Sequence, residues 1–143
     1  MDIMTAMTIS GSALKAERTR LNIAAMNLAN ANTTRTMEGG PYKAKSVIFA
    51  ARPLENFQNS LDASTAGLRK VEVVEVVEDK APFNDIYDPG HPDADANGIV
   101  RMPNVNVAEQ MVDMMEARRS YEANVSALDA VKSMALRALD ISR

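Results

Sequence analysis

From Asn106 onward, seam positions fall at alternating steps of three and four: Val107, Met111, Met114, Arg118, Tyr121, Val125, Leu128, Lys132, Ala135 and Leu139. Only Arg118 and Lys132 interrupt the stripe, so the spacing predicts one long helix with a coiled-coil-like seam. From about 106 to 141 it measures roughly 50 Å at ~1.5 Å per residue. A compact domain of this size has a radius of gyration of only about 14 Å, so the helix projects beyond any compact body. A second stripe lies near the start of the chain. Met7, Leu14, Leu21 and Leu28 recur every seventh residue, and Ile3, Ala24, Ala25 and Ala31 widen the face, which predicts an amphipathic helix over roughly 3 to 32. Gly11 is a soft spot in it, and Ser10 or Ser12 offers a cap for a helix starting there instead.

Between the stripes the period changes. YKAKSVIFA (42–50) and LRKVEVVEVV (68–77) are β-branched runs that read as strands, with a bulge where the alternation slips at Val73 and Val74. The Pro, Gly and Asp of DPGHPDADANG mark a tight loop, and IVRM before Pro103 offers a short third strand. Residues 51–67 show no clear period and read as a mobile excursion between strands. The fold class expected is α+β. Residues 1–35 together with 105–143 form a helical domain, and 36–104 form a small β-rich domain.

Composition changes this picture little. The chain has 143 residues, 46% hydrophobic but only 4% aromatic, with ten Met and no Trp, which suits helix seams better than a thick core. Charge follows the same partition: four basic and two acidic side chains in residues 1–35, seven and eleven in 36–104, five and six in 105–143. No basic cluster offers a phosphate-backbone footprint, so nucleic acid is excluded as a partner. The absence of cysteine rules out disulfides and thiolate metal sites. Asp2 stands where a secretory signal carries Lys or Arg, so no cleavable signal peptide is read, and no run of about 18 apolar residues spans a membrane.

Candidate chemistry is sparse. Asp93, Asp95, Asn97 and Gly98 match the opening of an EF-hand loop, but its twelfth position holds Asn104 instead of a bidentate Glu. An acidic turn is the simpler reading, and a calcium-binding module the alternative. His91, the only histidine, lies between Pro89 and Pro92 and reads as a structural loop residue without the partners of a triad or a zinc site. Glu72, Glu75, Glu78 and Asp79 read as a solvated strand face, not an acid/base pair. Met111, Met114 and Met115 read as adaptable seam residues before they read as a promiscuous groove. No catalysis and no cofactor are expected. A helical adaptor module is the other alternative, resting on the seams alone.

At both ends the residues resemble a known family. SGSALKAERTRLNIAAMNLANANTT (10–34), with its Asn27-Leu28-Ala29-Asn30-x-x-Thr33 element, resembles the N-terminal signature of the bacterial flagellar rod and hook axial proteins. YDPGHPDAD and MPNVNVAEQMVDMMEARRSYEANV are similar to that family's rod members, and the resemblance covers nearly the whole chain. It implies a structural subunit of the proximal rod of the flagellar basal body, exported by the flagellar type III apparatus without a cleaved signal and assembled in the periplasm. Its partners would be further copies, other proximal and distal rod proteins and the adaptor joining rod to export gate. The terminal helices would pair in a tube around the export channel, with the β-rich domain outside.

Stripes and resemblance together nominate an assembly interface: Leu14, Leu21, Asn27, Leu28 and Asn30 on the first helix, and Met111, Met114, Tyr121, Val125, Leu128 and Leu139 on the last. The amides of Asn27, Asn30 and Asn32 are unusual in an apolar helix and would set register, Asn27 through a contact between subunits or between helices. The local alternative is that Asn30 or Asn32 ends the helix, through left-handed geometry or a side-chain bond to backbone.

Overall fold

The computed structural model describes residues 3–54 and 67–141. Most of the expected excursion at 51–67 lies outside them. Two long helices enclose two small antiparallel sheets in the order α1 (Ile3–Ala29), β1 (Lys45–Pro53), β2 (Arg69–Glu78), β3 (Asn84–Tyr87), β4 (Ile99–Met102) and α2 (Val107–Ile141).

The 27 residues of α1 run straight through Gly11, beside which an added Cβ would meet nothing within 4 Å. Ser12 therefore caps nothing; its hydroxyl donates to the Ile9 carbonyl at 2.7 Å and accepts from the Val71 amide of β2 at 3.1 Å. The helix ends through Asn30, whose backbone and side-chain nitrogens both donate to the Met26 carbonyl, at 3.1 and 2.9 Å. Among the described residues no non-glycine adopts positive φ, so the side-chain route, not left-handed geometry, stops α1. At its start α2 is capped by Asn106, whose Oδ1 accepts from the amides of Ala108 and Glu109. Glu109 adds a favourable charge in the first turn of this 35-residue helix.

Arg20 reaches Asp113 and Glu116, while Asn27, two turns further along α1, meets Gln110. The helices are therefore antiparallel. Small side chains let them approach closely: Ala16, Ala24 and Ala117 are buried, Ala117 completely.

Strands β1 and β2 pair in register from Lys45↔Glu78 to Pro53↔Arg69, with a shift between Ile48 and Phe49 that leaves Val74 as the extra residue. The slip in the valine alternation is thus a bulge, at the expected place. Strand β4 coincides with IVRM, but it pairs with β3, an NDIY segment not expected as a strand, as Tyr87↔Ile99 through Asn84↔Met102. All four residues of β3 are exposed, so no buried face betrays it. Asn104 ties this hairpin to the start of β1: its Oδ1 accepts from the Ala44 amide at 2.8 Å and its Nδ2 donates to the Ala81 carbonyl. The core is thin: its buried apolar side chains are Ala16, Ala24 and Ala117 on the helices, Ala44 and Leu54 flanking β1, and Val100, Pro103 and Val105 around β4.

Candidate assembly interface

The best-connected polar side chain is Asn27, which is 1% exposed. Its Nδ2 donates to the Lys45 carbonyl at 2.7 Å and to Gln110 Oε1 at 2.9 Å, and its Oδ1 accepts from Tyr42 OH and the Lys45 amide, both at 2.9 Å. An amide offers two donors and two good acceptor directions, so its capacity is filled within one chain. Of the two contacts expected of Asn27, between helices or between subunits, the structure shows the one between helices: the amide joins α1, β1 and α2 of the same chain. Asn30 likewise bonds locally, to Met26 and through Oδ1 to the Thr33 hydroxyl. Burial, and secondarily the charge of Glu78, pushes the Tyr42 hydroxyl above its ordinary range, so it stays a donor at neutral pH.

A second polar cluster sits two turns back along the helix pair. Arg20 Nη2 lies 2.9 Å from Asp113 and 3.2 Å from Glu116. Burial works to lower the Arg20 pKa, but hydrogen bonds and charge from Asp113 and Glu116 outweigh it and the net shift is upward. Glu17, one turn earlier, has a buried Oε2 with no hydrogen-bond partner among the described residues. Desolvation raises its pKa, Arg20 offsets part of this, and Glu116 adds to the rise. A groove of about 430 Å³ opens beside the cluster, between Phe49 and Val47 of β1, Ile23 and Ala24 of α1, and Asp113 of α2.

The apolar stripes lie elsewhere. Ser12, Ala16 and Thr19 line the contact with β2. At ~100° per residue, Leu14, Leu21 and Leu28 point to the opposite side of α1, where they remain half-buried. On α2 the residues turned to α1 include Gln110, Asp113 and the buried Ala117, so the stripe expected at that contact is displaced to its flank. Met114, Tyr121 and Leu128 are half-buried there, while Met111, Val125 and Leu139 are exposed, at 52%, 36% and 65%. By helical phase these flanks of α1 and α2 fall on one side of the pair, away from the β1–β2 hairpin, and together make an apolar strip interrupted on α2 by Arg118 and Lys132.

The loop between β3 and β4 spends its carboxylates on itself and on the α1–β1 connection. Asp93 accepts from the Thr34 hydroxyl and pairs with Arg35. Asp95 Oδ1 accepts from the amides of Asn97 and Ile99, and His91 Nδ1 accepts from the Asp93 amide. This is an acidic turn with its own hydrogen bonds, and the calcium reading gains no support from it. Gly98, at φ 76°, closes the turn against Tyr87 and Pro89.

The regions carrying these contacts are the ones shared with known proteins. Residues 7–35 match the family model described as "Flagella basal body rod protein", and residues 96–141 match "Flagellar basal body rod FlgEFG protein C-terminal". Flagellar basal-body rod protein FlgC of Escherichia coli O6:H1 is 45% identical over 143 residues, covering the whole of both chains. FlgC of Salmonella typhimurium is 44% identical over 143 residues, and that of Bacillus subtilis 39% over 151, again with full coverage of both. The chain belongs to the FlgC family of flagellar basal-body rod proteins. FlgC proteins are structural, and this chain is a rod protein and not an enzyme. The segments matched by the two family models map onto α1 with its Asn27 and Asn30 turn, and onto β4 with α2. Gln110, Tyr42 and Asp113, which complete the polar clusters, were not among the residues the sequence nominated. Gln110 follows Glu109 in a mixed first turn of α2, and nothing local says which residue it meets.

Proposed function

We propose that this chain is a subunit of the proximal rod, assembling with further copies and with other rod proteins into a helical tube around the export channel that transmits torque. In this reading the helices of residues 1–35 and 105–143 act as a coiled-coil-like rod core, and residues 36–104 form an outer domain. The chain reaches the periplasm through the flagellar type III export apparatus. Among the described residues no helix is long and apolar enough to cross a membrane.

The observation that carries the reading is the apolar strip on the side of the helix pair away from the hairpin. Met111, Val125 and Leu139 are exposed beside half-buried Leu14, Leu21, Leu28, Met114, Tyr121 and Leu128. Burial of apolar area stabilises by about 25 cal/mol per Å², so such a strip favours coverage by neighbouring subunits. Leu128→Asp tests it, because a charge in a dry interface costs several kcal/mol. The expected result is loss of the chain from purified basal bodies and loss of swimming. Normal rod assembly by the variant would remove Leu128 from any subunit interface.

A further inference from the structure

We propose that the β3–β4 hairpin is clamped to the ends of α1 and α2 by two separate side-chain braces, so that the joint between the helix pair and the hairpin resists twisting. This deepens the rod-subunit reading and rests on it, since a subunit that passes torque needs a joint that does not swivel. Among the described residues no Cα of β3 or β4 comes within 8 Å of α1, α2, β1 or β2. The hairpin is therefore held to the rest of the chain through connecting segments alone.

The first brace is Asp93. Its carboxylate accepts from the Thr34 hydroxyl at 2.7 Å and pairs with Arg35. These partners are fixed to the end of α1, because the Thr33 hydroxyl donates to Asn30 Oδ1 and the Thr33 carbonyl accepts from the Tyr42 amide. The second brace is Asn104, just ahead of α2 and its cap Asn106. Asn104 accepts from the Ala44 amide at 2.8 Å and donates to the Ala81 carbonyl at 3.2 Å, while Asn84 Nδ2 donates to the adjoining Pro103 carbonyl at 3.3 Å. Val100, between the two braces in sequence, is 1% exposed, so packing leaves the hairpin little room to slide. A body fixed at one point swivels about it, whereas one fixed at two swivels only when a brace gives way. Braces acting in parallel have a signature: either alone suffices, so losing both does more than the sum of losing each.

The test uses the absence of cysteine from the chain. Arg18→Cys on α1 and Ile86→Cys on β3, both at exposed positions, carry spin labels whose separation is read by pulsed electron double resonance. A narrow distance distribution is expected with both braces intact, and little broadening from Asp93→Ala or Asn104→Ala alone. Combining the two should broaden the distribution about twofold or more, with unchanged far-ultraviolet circular dichroism. A broad distribution with both braces intact, a single variant as broad as the combination, or a combination no broader than the singles each overturns the proposal. Should the combination fail to fold, Thr34→Val with Arg35→Gln removes the first brace from its other side and is paired with Asn104→Ala instead. In the host bacterium the combined variant is expected in basal bodies at the usual number, with swimming speed lost mainly in viscous medium. An equal relative loss in thin and viscous media would refute the mechanical role. Absence of the unaltered chain from basal bodies would overturn the rod reading as well, whereas a broad distribution in a chain that does enter basal bodies overturns only the clamp.

Discussion

Asn27 and Gln110, 83 positions apart in sequence, meet at 2.9 Å, and through that bond the end of α1 is fixed to the first turns of α2. The same amide holds both backbone groups of Lys45, so helix pairing and hairpin placement share one buried side chain.

Asn27→Ala should therefore destabilise the isolated chain, although Ala is the better helix former by a few tenths of a kcal/mol. Each buried group it strands costs roughly 1 to 3 kcal/mol, and the Lys45 amide and carbonyl cannot turn elsewhere. Urea unfolding followed by circular dichroism checks this. Asn30→Ala should cost only about 0.5 to 1 kcal/mol, because its bond to Met26 is local and exposed. Equal losses for the two variants would contradict the account.

Ala117, with no exposed surface, sets the closeness of the two helices. Ala117→Leu inserts three carbons where there is no space and should cost about 1 to 3 kcal/mol by overpacking. Ala123→Leu, on the exposed face of the same helix, should change the urea midpoint little.

Glu17 gives the chain a pH signature of definite sign. Its folded pKa is raised, first by desolvation, so the folded state binds a proton more tightly than the unfolded state does. Its contribution therefore turns unfavourable as pH rises through the folded pKa, and it vanishes at pH values below the ordinary carboxylate range, where both states are protonated. Glu17→Gln should raise the urea midpoint at pH 7 and lose that advantage in acid. A variant gaining stability equally at all pH values would assign the effect to something other than ionisation.

At Gly98 an added Cβ would lie 3.0 Å from the Tyr87 ring and 3.1 Å from Pro89, on a backbone at φ 76°. Gly98→Ala should cost about 1 to 3 kcal/mol through the left-handed backbone and the close contact. The loss should appear as faster amide exchange in β3 and β4, with α1 and α2 unaffected. Uniform exchange across the chain would refute this localisation.

The elements were legible where residues repeat a period over many turns. α1, α2, both strands of the first hairpin and the Val74 bulge all announce themselves in this way. β3 does not, because four exposed residues carry no buried face. The apolar stripe on α2 was legible too, but not which helix face meets α1. That contact is made by Gln110, Asp113 and Ala117, whose polarity or small size hides them from a hydrophobic pattern, while the larger apolar residues lie on its flank. Asn27 stood out as an anomaly in its helix. Its partners lie 15, 18 and 83 positions away, beyond the reach of local spacing, and so the sequence could not choose between a contact across helices and one across subunits.

The Ser12 hydroxyl that accepts from the Val71 amide occupies part of the edge of β2 not paired with β1. A two-stranded ribbon with a valine-rich margin is a template for strand addition by any extended chain, and α1 lying along that margin denies access to it. Protection of the ribbon thus comes from a neighbouring helix as well as from the charges Arg69, Lys70, Glu72, Glu75 and Glu78 that β2 carries. Conditions that peel α1 away before the hairpin melts would leave a sticky edge in solution, and aggregation of this protein should begin at β2.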